Sequence, residues 1–124
     1  MSINDELDQA VGALARRPGL RGCALVEAGS GMVWTAHGEL ARHTSLWEAA
    51  SDHWRLHGRH AAHFASLGEF VAVALIHVEG LVALFRCATD PDLLFIAVGQ
   101  HRTVDWNTLQ GLALRVGALV AEHR

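Results

Sequence analysis

The 124-residue chain has no lysine and no tyrosine, two cysteines, two prolines and no long hydrophobic run. Each absence excludes something. Without lysine, a P-loop and Schiff-base chemistry are both out of reach, because each needs the ε-amino group. Ten arginines stand against thirteen acidic residues, for a formal charge of −3. Clustered positive charge, whose counterion release drives nucleic-acid binding, is therefore missing, and no nucleic-acid partner is expected. Cys23 and Cys87 are too few for a disulfide scaffold and have no metal-type spacing. The longest apolar run, Phe70–Ile76, falls far short of the roughly 20 residues of a membrane span and reads as a strand. The acidic start, Met1-Ser2-Ile3-Asn4-Asp5-Glu6, has no hydrophobic stretch behind it. No signal peptide is expected, and the cytoplasm is the expected compartment.

What is present is apolar. The chain is 51% hydrophobic and 19% charged, with nine histidines, which is the reverse of a disordered composition. Its length suits one domain, 1–124, with a real core. Ser2 begins a capped helix with Asp5, Glu6 and Asp8 at the positive end of its dipole. Leu7, Ala10, Val11 and Leu14 share one face, Arg16 and Arg17 fill the last turn, and Pro18-Gly19 ends it. Leu20–Glu27 and Met32–Ala36 read as a hairpin across Ala28-Gly29-Ser30-Gly31. A second helix is predicted from a Ser45/Glu48 capping box to about Gly58. Three apolar strands follow, Glu69–Val78, Leu81–Ala88 and Leu93–Val98, joined at Glu79-Gly80 and at Thr89-Asp90-Pro91-Asp92. The last helix spans Thr103–His123, with Leu109, Leu112, Val116, Leu119 and Val120 on one face.

The order α-β-β-α-β-β-β-α contains only short connections between its later strands, so neighbours run antiparallel. Those strands are apolar on both faces: Phe70, Ala72, Ala74 and Ile76 on one side of the first, Val71, Val73 and Leu75 on the other. Such a sheet needs cover on both sides. The predicted fold is α/β (α+β), a three-layer sandwich around a single antiparallel five-stranded sheet with helices on both faces.

The second helix carries the densest chemistry. Glu48, Ser51, Asp52, Arg55 and Arg59 fall on one arc; Leu46, Trp47, Ala50, His53, Trp54, Leu56 and His57 fall on the opposite one. His53 and His57 are i,i+4 neighbours, and His60 and His63 continue the series if the helix survives Gly58. His37, His43, His77, His101 and His123 are scattered over other elements. Three readings of the helical histidines stay open: packing in a core or subunit interface, a pH-sensitive dimer contact, or a metal site built on His53, His57 and His60. No H-E-x-x-H spacing supports a metalloprotease. Trp47 and Trp54 suit core or dimer packing. Cys23 and Cys87 read as inert buried thiols, and Ser30 sits in a hairpin turn rather than a nucleophile elbow. Asp90, Asp92 and Asp105 read as turn and dipole residues. Gly111 and Gly117 cost helix stability, and close approach to the sheet or the first helix would account for them.

The helix, the Arg17-Pro18-Gly19-Leu20-Arg21-Gly22-Cys23-Ala24-Leu25-Val26 stretch, the Gly29–Gly31 turn and the Glu79-Gly80 hairpin together resemble the roadblock (dynein light chain-like) family, with its bacterial MglB-like members. The resemblance covers nearly the whole chain and implies a non-enzymatic homodimer. The long middle strand would pair across the dyad and the second helix would pack nearby. It also implies partners such as small Ras-like GTPases or larger scaffold proteins. The histidine- and tryptophan-loaded second helix departs from that pattern. The expected interface comprises Trp47, Ala50, His53, Trp54 and His57 with Val71, Val73 and Leu75. No catalytic residue and no cofactor is expected. The alternative is a small sensor domain that uses the His/Trp face for a ligand or metal; profilin-like folds share this layering.

Overall fold

The structure, a computed structural model, describes residues 2–100 and 102–122. Its elements are α1 (Ile3–Ala15), β1 (Leu20–Glu27), β2 (Val33–His37), α2 (Thr44–Arg59), a 3₁₀ segment (Ala61–Leu67), β3 (Ala72–Ile76), β4 (Leu81–Thr89), β5 (Asp92–Gly99) and α3 (Trp106–Glu122). The five strands form one antiparallel sheet in the order β2-β1-β5-β4-β3.

Alternation along the central strands builds two cores. Cys23 and Leu25 of β1 and Leu93, Phe95 and Ala97 of β5 pack against Leu7, Val11 and Leu14 of α1 and Leu109, Ala113, Val116 and Val120 of α3. Their neighbours Ala24, Val26, Leu94 and Ile96 meet Trp47, Ala50 and Trp54 of α2 on the other face. The three helices thus divide two to one, as a sheet apolar on both sides requires.

Local chemistry explains most element ends. Ser2 Oγ accepts the Asp5 N–H at 3.2 Å and caps α1. Gly19 takes φ +88° in the turn that follows, a conformation that other residues rarely adopt. Arg16 caps the helix and Arg17 lies beyond it, so neither occupies its last turn. α3 starts at Trp106 rather than Thr103, because the Asp105 carboxylate accepts from Thr108 N (3.1 Å) and Thr108 Oγ1 (2.7 Å). Those bonds hold the Asp105 carboxyl below the usual range. The predicted C-terminal end at His123 lies outside the described residues, as does His101.

Three expectations need correction. α2 starts at Thr44 after His43, which makes no side-chain cap, so there is no Ser45/Glu48 capping box. Ser51, placed on the arc of Glu48, Asp52, Arg55 and Arg59 opposite the tryptophans, is fully buried. Its hydroxyl donates to Glu48 O (2.8 Å) and accepts from Arg55 Nη1 (3.2 Å), which satisfies it inside the core. Finally, the strand predicted over Glu69–Val78 is regular only from Ala72 to Ile76. Phe70 therefore escapes strict alternation and packs with Val73 and Leu75 on the α2 face.

Candidate functional site

β3 is one edge of the sheet. Val71 O accepts from Arg86 N (3.1 Å) and His77 N donates to Gly80 O (2.7 Å). Odd-numbered residues therefore turn their backbone groups toward β4. In an antiparallel ladder the N–H and C=O groups of Ala72, Ala74 and Ile76 then point outward, where the sheet ends. Around this open ladder the surface is apolar: Val71 and Ile76 are 47% and 71% exposed, and Val78 is 94% exposed. No charge, proline or bulge interrupts Ala72–Ile76, so the usual devices that blunt an edge strand are missing.

Alongside this edge, between α2, the 3₁₀ segment and β3, runs an open groove of about 560 Å³. It is lined by His53, Leu56, His57, His60, His63, Phe64, Phe70, Ala72 and Val73. Its floor is a column of stacked groups. Phe70 lies between His57 (centroids 3.6 Å apart) and Trp54 (4.3 Å); Phe64 stacks on the outer side of His57 (5.1 Å). On the inner side, Arg86 Cζ sits 5.2 Å from the Trp54 ring, within cation–π range. Arg86 is in turn held by Asp92 (Nε–Oδ1 3.3 Å) and by Glu69 (3.9 Å).

The helix that carries these histidines has three faces rather than two. Trp47, Ala50, Ser51 and Trp54 form the buried stripe. His53, Leu56, His57 and His60 form a flank rotated by roughly 120° from it, with His57 half-buried and the others exposed. On the remaining face Arg55 pairs with Asp52, and its Nη1 donates to Ala28 O at 2.9 Å. That bond ties α2 to the β1–β2 turn.

The predicted interface set is thereby divided. Trp47 is fully buried and Ala50 and Trp54 are nearly so, all within the chain's own core. They support the surface from beneath and offer a partner almost no area. His53 and His57 line the groove. Val73 and Leu75 are half-buried under α2, and Val71 is exposed. Phe64, Phe70 and Ile76 belong to the surface but were absent from the predicted set. Phe64 had a signal: it stands seven residues after His57, in helical phase with it. Among the described residues, no three His, Cys, Asp or Glu side chains are placed to hold one metal ion. Cys23 and Cys87 are free and buried, and desolvation pushes both thiol pKa values up to about 12, so neither is a ready nucleophile.

No family model and no curated protein matches the chain by sequence. Solved structures do match it. A roadblock/LC7 domain from Streptomyces avermitilis superposes with a TM-score of 0.75 at 17% identity, covering 96% of this chain and 95% of that one. The fold is that of a roadblock domain. Myxococcus xanthus MglB is similar as well, with a TM-score of 0.73 at 14% identity over 96% of this chain and 87% of its own. An MglB structure described as having a tetrameric arrangement gives a TM-score of 0.77 at 14% identity, covering 98% and 93%. The roadblock fold thus spans nearly the full length on both sides. Among the described residues, no helix is long and apolar enough to cross a membrane.

Proposed function

We propose that this chain is a non-enzymatic, cytoplasmic binding and scaffold module that acts as a homodimer and regulates a small Ras-like GTPase in a bacterium. The observation that carries the self-association is the open β3 ladder. The outward backbone groups of Ala72, Ala74 and Ile76 are flanked by exposed Val71, Ile76 and Val78. A second β3 laid antiparallel on this one satisfies both ladders by two-fold symmetry and covers the apolar flanks. The tetrameric arrangement of an MglB with the same fold supports the reading that such a sheet assembles with copies of itself. The resemblance to roadblock proteins supports a Ras-like GTPase, or a larger scaffold protein, as the further partner.

Ala74→Pro tests the dimer. Ala74 is exposed and its N–H points away from β4, so proline removes an outward donor and leaves the internal ladder intact. Val73→Asp is a poorer probe, because Val73 packs against the α2 core and a charge there would damage the protomer. In sedimentation equilibrium at micromolar concentration the wild type is expected to be dimeric and the proline variant monomeric with an unchanged circular dichroism spectrum. A monomeric wild type would overturn the homodimer. The GTPase reading is tested by incubating the chain with each Ras-like GTPase of its own cell. An altered rate of GTP hydrolysis or a stable complex is expected, and neither with any of them would overturn it.

A further inference from the structure

The groove beside β3 contains four of the molecule's histidines, and the function proposed above leaves them without a task. His53, His57 and His60 come from α2 and its C-terminal cap and His63 from the 3₁₀ segment. Its β3 wall is Ala72 and Val73, and Ala72 is also one of the residues whose backbone groups point out at the open sheet edge. The groove and the edge are therefore one continuous surface. Any chain that adds a strand to β3 lies along the mouth of the groove. If that strand is a second β3, the two-fold axis brings the partner's own groove beside this one, and eight imidazoles meet across one seam.

We infer that this groove makes self-association proton-sensitive: the dimer forms with His53, His57, His60 and His63 neutral and dissociates as they take up protons. This rests on the homodimer proposed above. Neutral imidazole is a flat, weakly polar ring, and His57 already shows how it packs, stacked between Phe64 and Phe70. Imidazolium becomes costly there when a second copy covers the groove. Pairing two copies strips water from it and sets like charges against one another.

The neighbouring charges do not cancel that load. No carboxylate lines the groove. Glu69 shares a smaller adjoining hollow with His57 but lies 3.9 Å from Arg86 of β4. Arg86 is also bound to Asp92. On α2, Asp52 and Arg55 pair with each other, and exposed Arg59, next to His60, adds a further positive charge. β3 itself has no titratable residue between Ala72 and Ile76. Beyond it, His77 Nδ1 lies 3.2 Å from Leu75 O at the far end of the strand.

The sign follows from linkage. Protons bind more tightly to the monomer than to the dimer, so acid favours the monomer. Free imidazole titrates near about pH 6.5. One histidine per protomer that loses about one pKa unit on pairing weakens the dimer roughly 30-fold between about pH 8 and about pH 5.5.

The test is the dimer dissociation constant, measured by sedimentation at constant ionic strength at both pH values. Circular dichroism confirms that the protomer stays folded. The wild type is compared with a variant carrying His53→Gln, His57→Gln, His60→Gln and His63→Gln. A second variant keeps His57 in its stack and changes only the three exposed histidines. A wild type that weakens tenfold or more in acid, with a flat profile in the fourfold variant and a shallower one in the threefold variant, supports the inference. If the fourfold variant does not fold, the threefold variant decides: a profile as steep as wild type overturns it. A wild-type dimer equally tight at both pH values overturns the inference and leaves the dimer standing, and so does an equal acid weakening in the fourfold variant. A wild type that is monomeric even at about pH 8 overturns the homodimer and the inference with it.

Discussion

Gly117 is the position where one added methyl group should cost most. A Cβ built on it lies 1.4 Å from Cys87 O and 2.5 Å from Cys87 C, both backbone atoms of β4. Ordinary contact begins at 3.4 Å, so Gly117→Ala forces α3 and β4 apart by about 2 Å. A gap of even 0.5–1 Å forfeits about a quarter to a half of each contact it opens. The α3 side chains affected include Ala113, Val116 and Val120, all buried against the sheet. With about 1.5–3 kcal/mol for each large buried aliphatic residue, partial loss at two or three of them comes to about 4 kcal/mol. Alanine returns about 1 kcal/mol of helix propensity, leaving a net loss of about 3 kcal/mol. In a domain of this size that lowers Tm by roughly 10 °C. Gly111 is the control. It lies on the same helix, and a Cβ added there meets nothing within 4 Å, so Gly111→Ala should stabilise by about 0.5–1 kcal/mol. Urea unfolding followed by tryptophan fluorescence, at one protein concentration, measures both. A Gly117→Ala protein as stable as wild type, or a Gly111→Ala protein equally damaged, would refute the reasoning.

Three further outcomes are expected. Asp8 accepts hydrogen bonds from Thr35 Oγ1 (2.5 Å) and His37 Nε2 (2.8 Å), tying α1 to β2, and these bonds, Thr35 first, lower its pKa. A depressed carboxyl stabilises the fold above its unfolded pKa of about 3.9 and stops doing so as pH falls through the folded value; the Tm deficit of Asp8→Asn should thus be present at neutral pH and vanish in strong acid. Arg55→Gln removes the donor to Ala28 O and a partner of buried Ser51, and should cost about 1–2 kcal/mol in the same urea assay. Cys23 and Cys87, with pKa values pushed up to about 12, should resist iodoacetamide at mildly alkaline pH in the native protein and react fully in denaturant; rapid native labelling would show that the central sheet opens.

Much of the site was legible one element at a time. The i,i+4 spacing placed His53 and His57 together, and the uninterrupted apolar run marked the strand that becomes the open edge. The missing part lay in rotation and pairing. A two-arc view of α2 put Ser51 opposite the tryptophans and merged the histidine flank with the tryptophan stripe. A hydroxyl can be buried when Glu48 O and Arg55 satisfy it, and hydropathy does not reveal such partners. The stack of Phe64, His57, Phe70 and Trp54 joins residues from three segments, of which the 3₁₀ turn had no strong periodicity.

By itself, the sequence determined the number and order of the α-helices and strands, the need to cover both sheet faces, the absence of lysine chemistry and the helical spacing of the histidines. These depend on local propensity and on which residues avoid water, and both are written residue by residue. Tertiary structure alone decided that β5 inserts between β1 and β4, which leaves β3 at the edge beside the histidine groove. Strand order depends on how distant segments compete for the same backbone hydrogen bonds, and no window of neighbouring residues contains that competition.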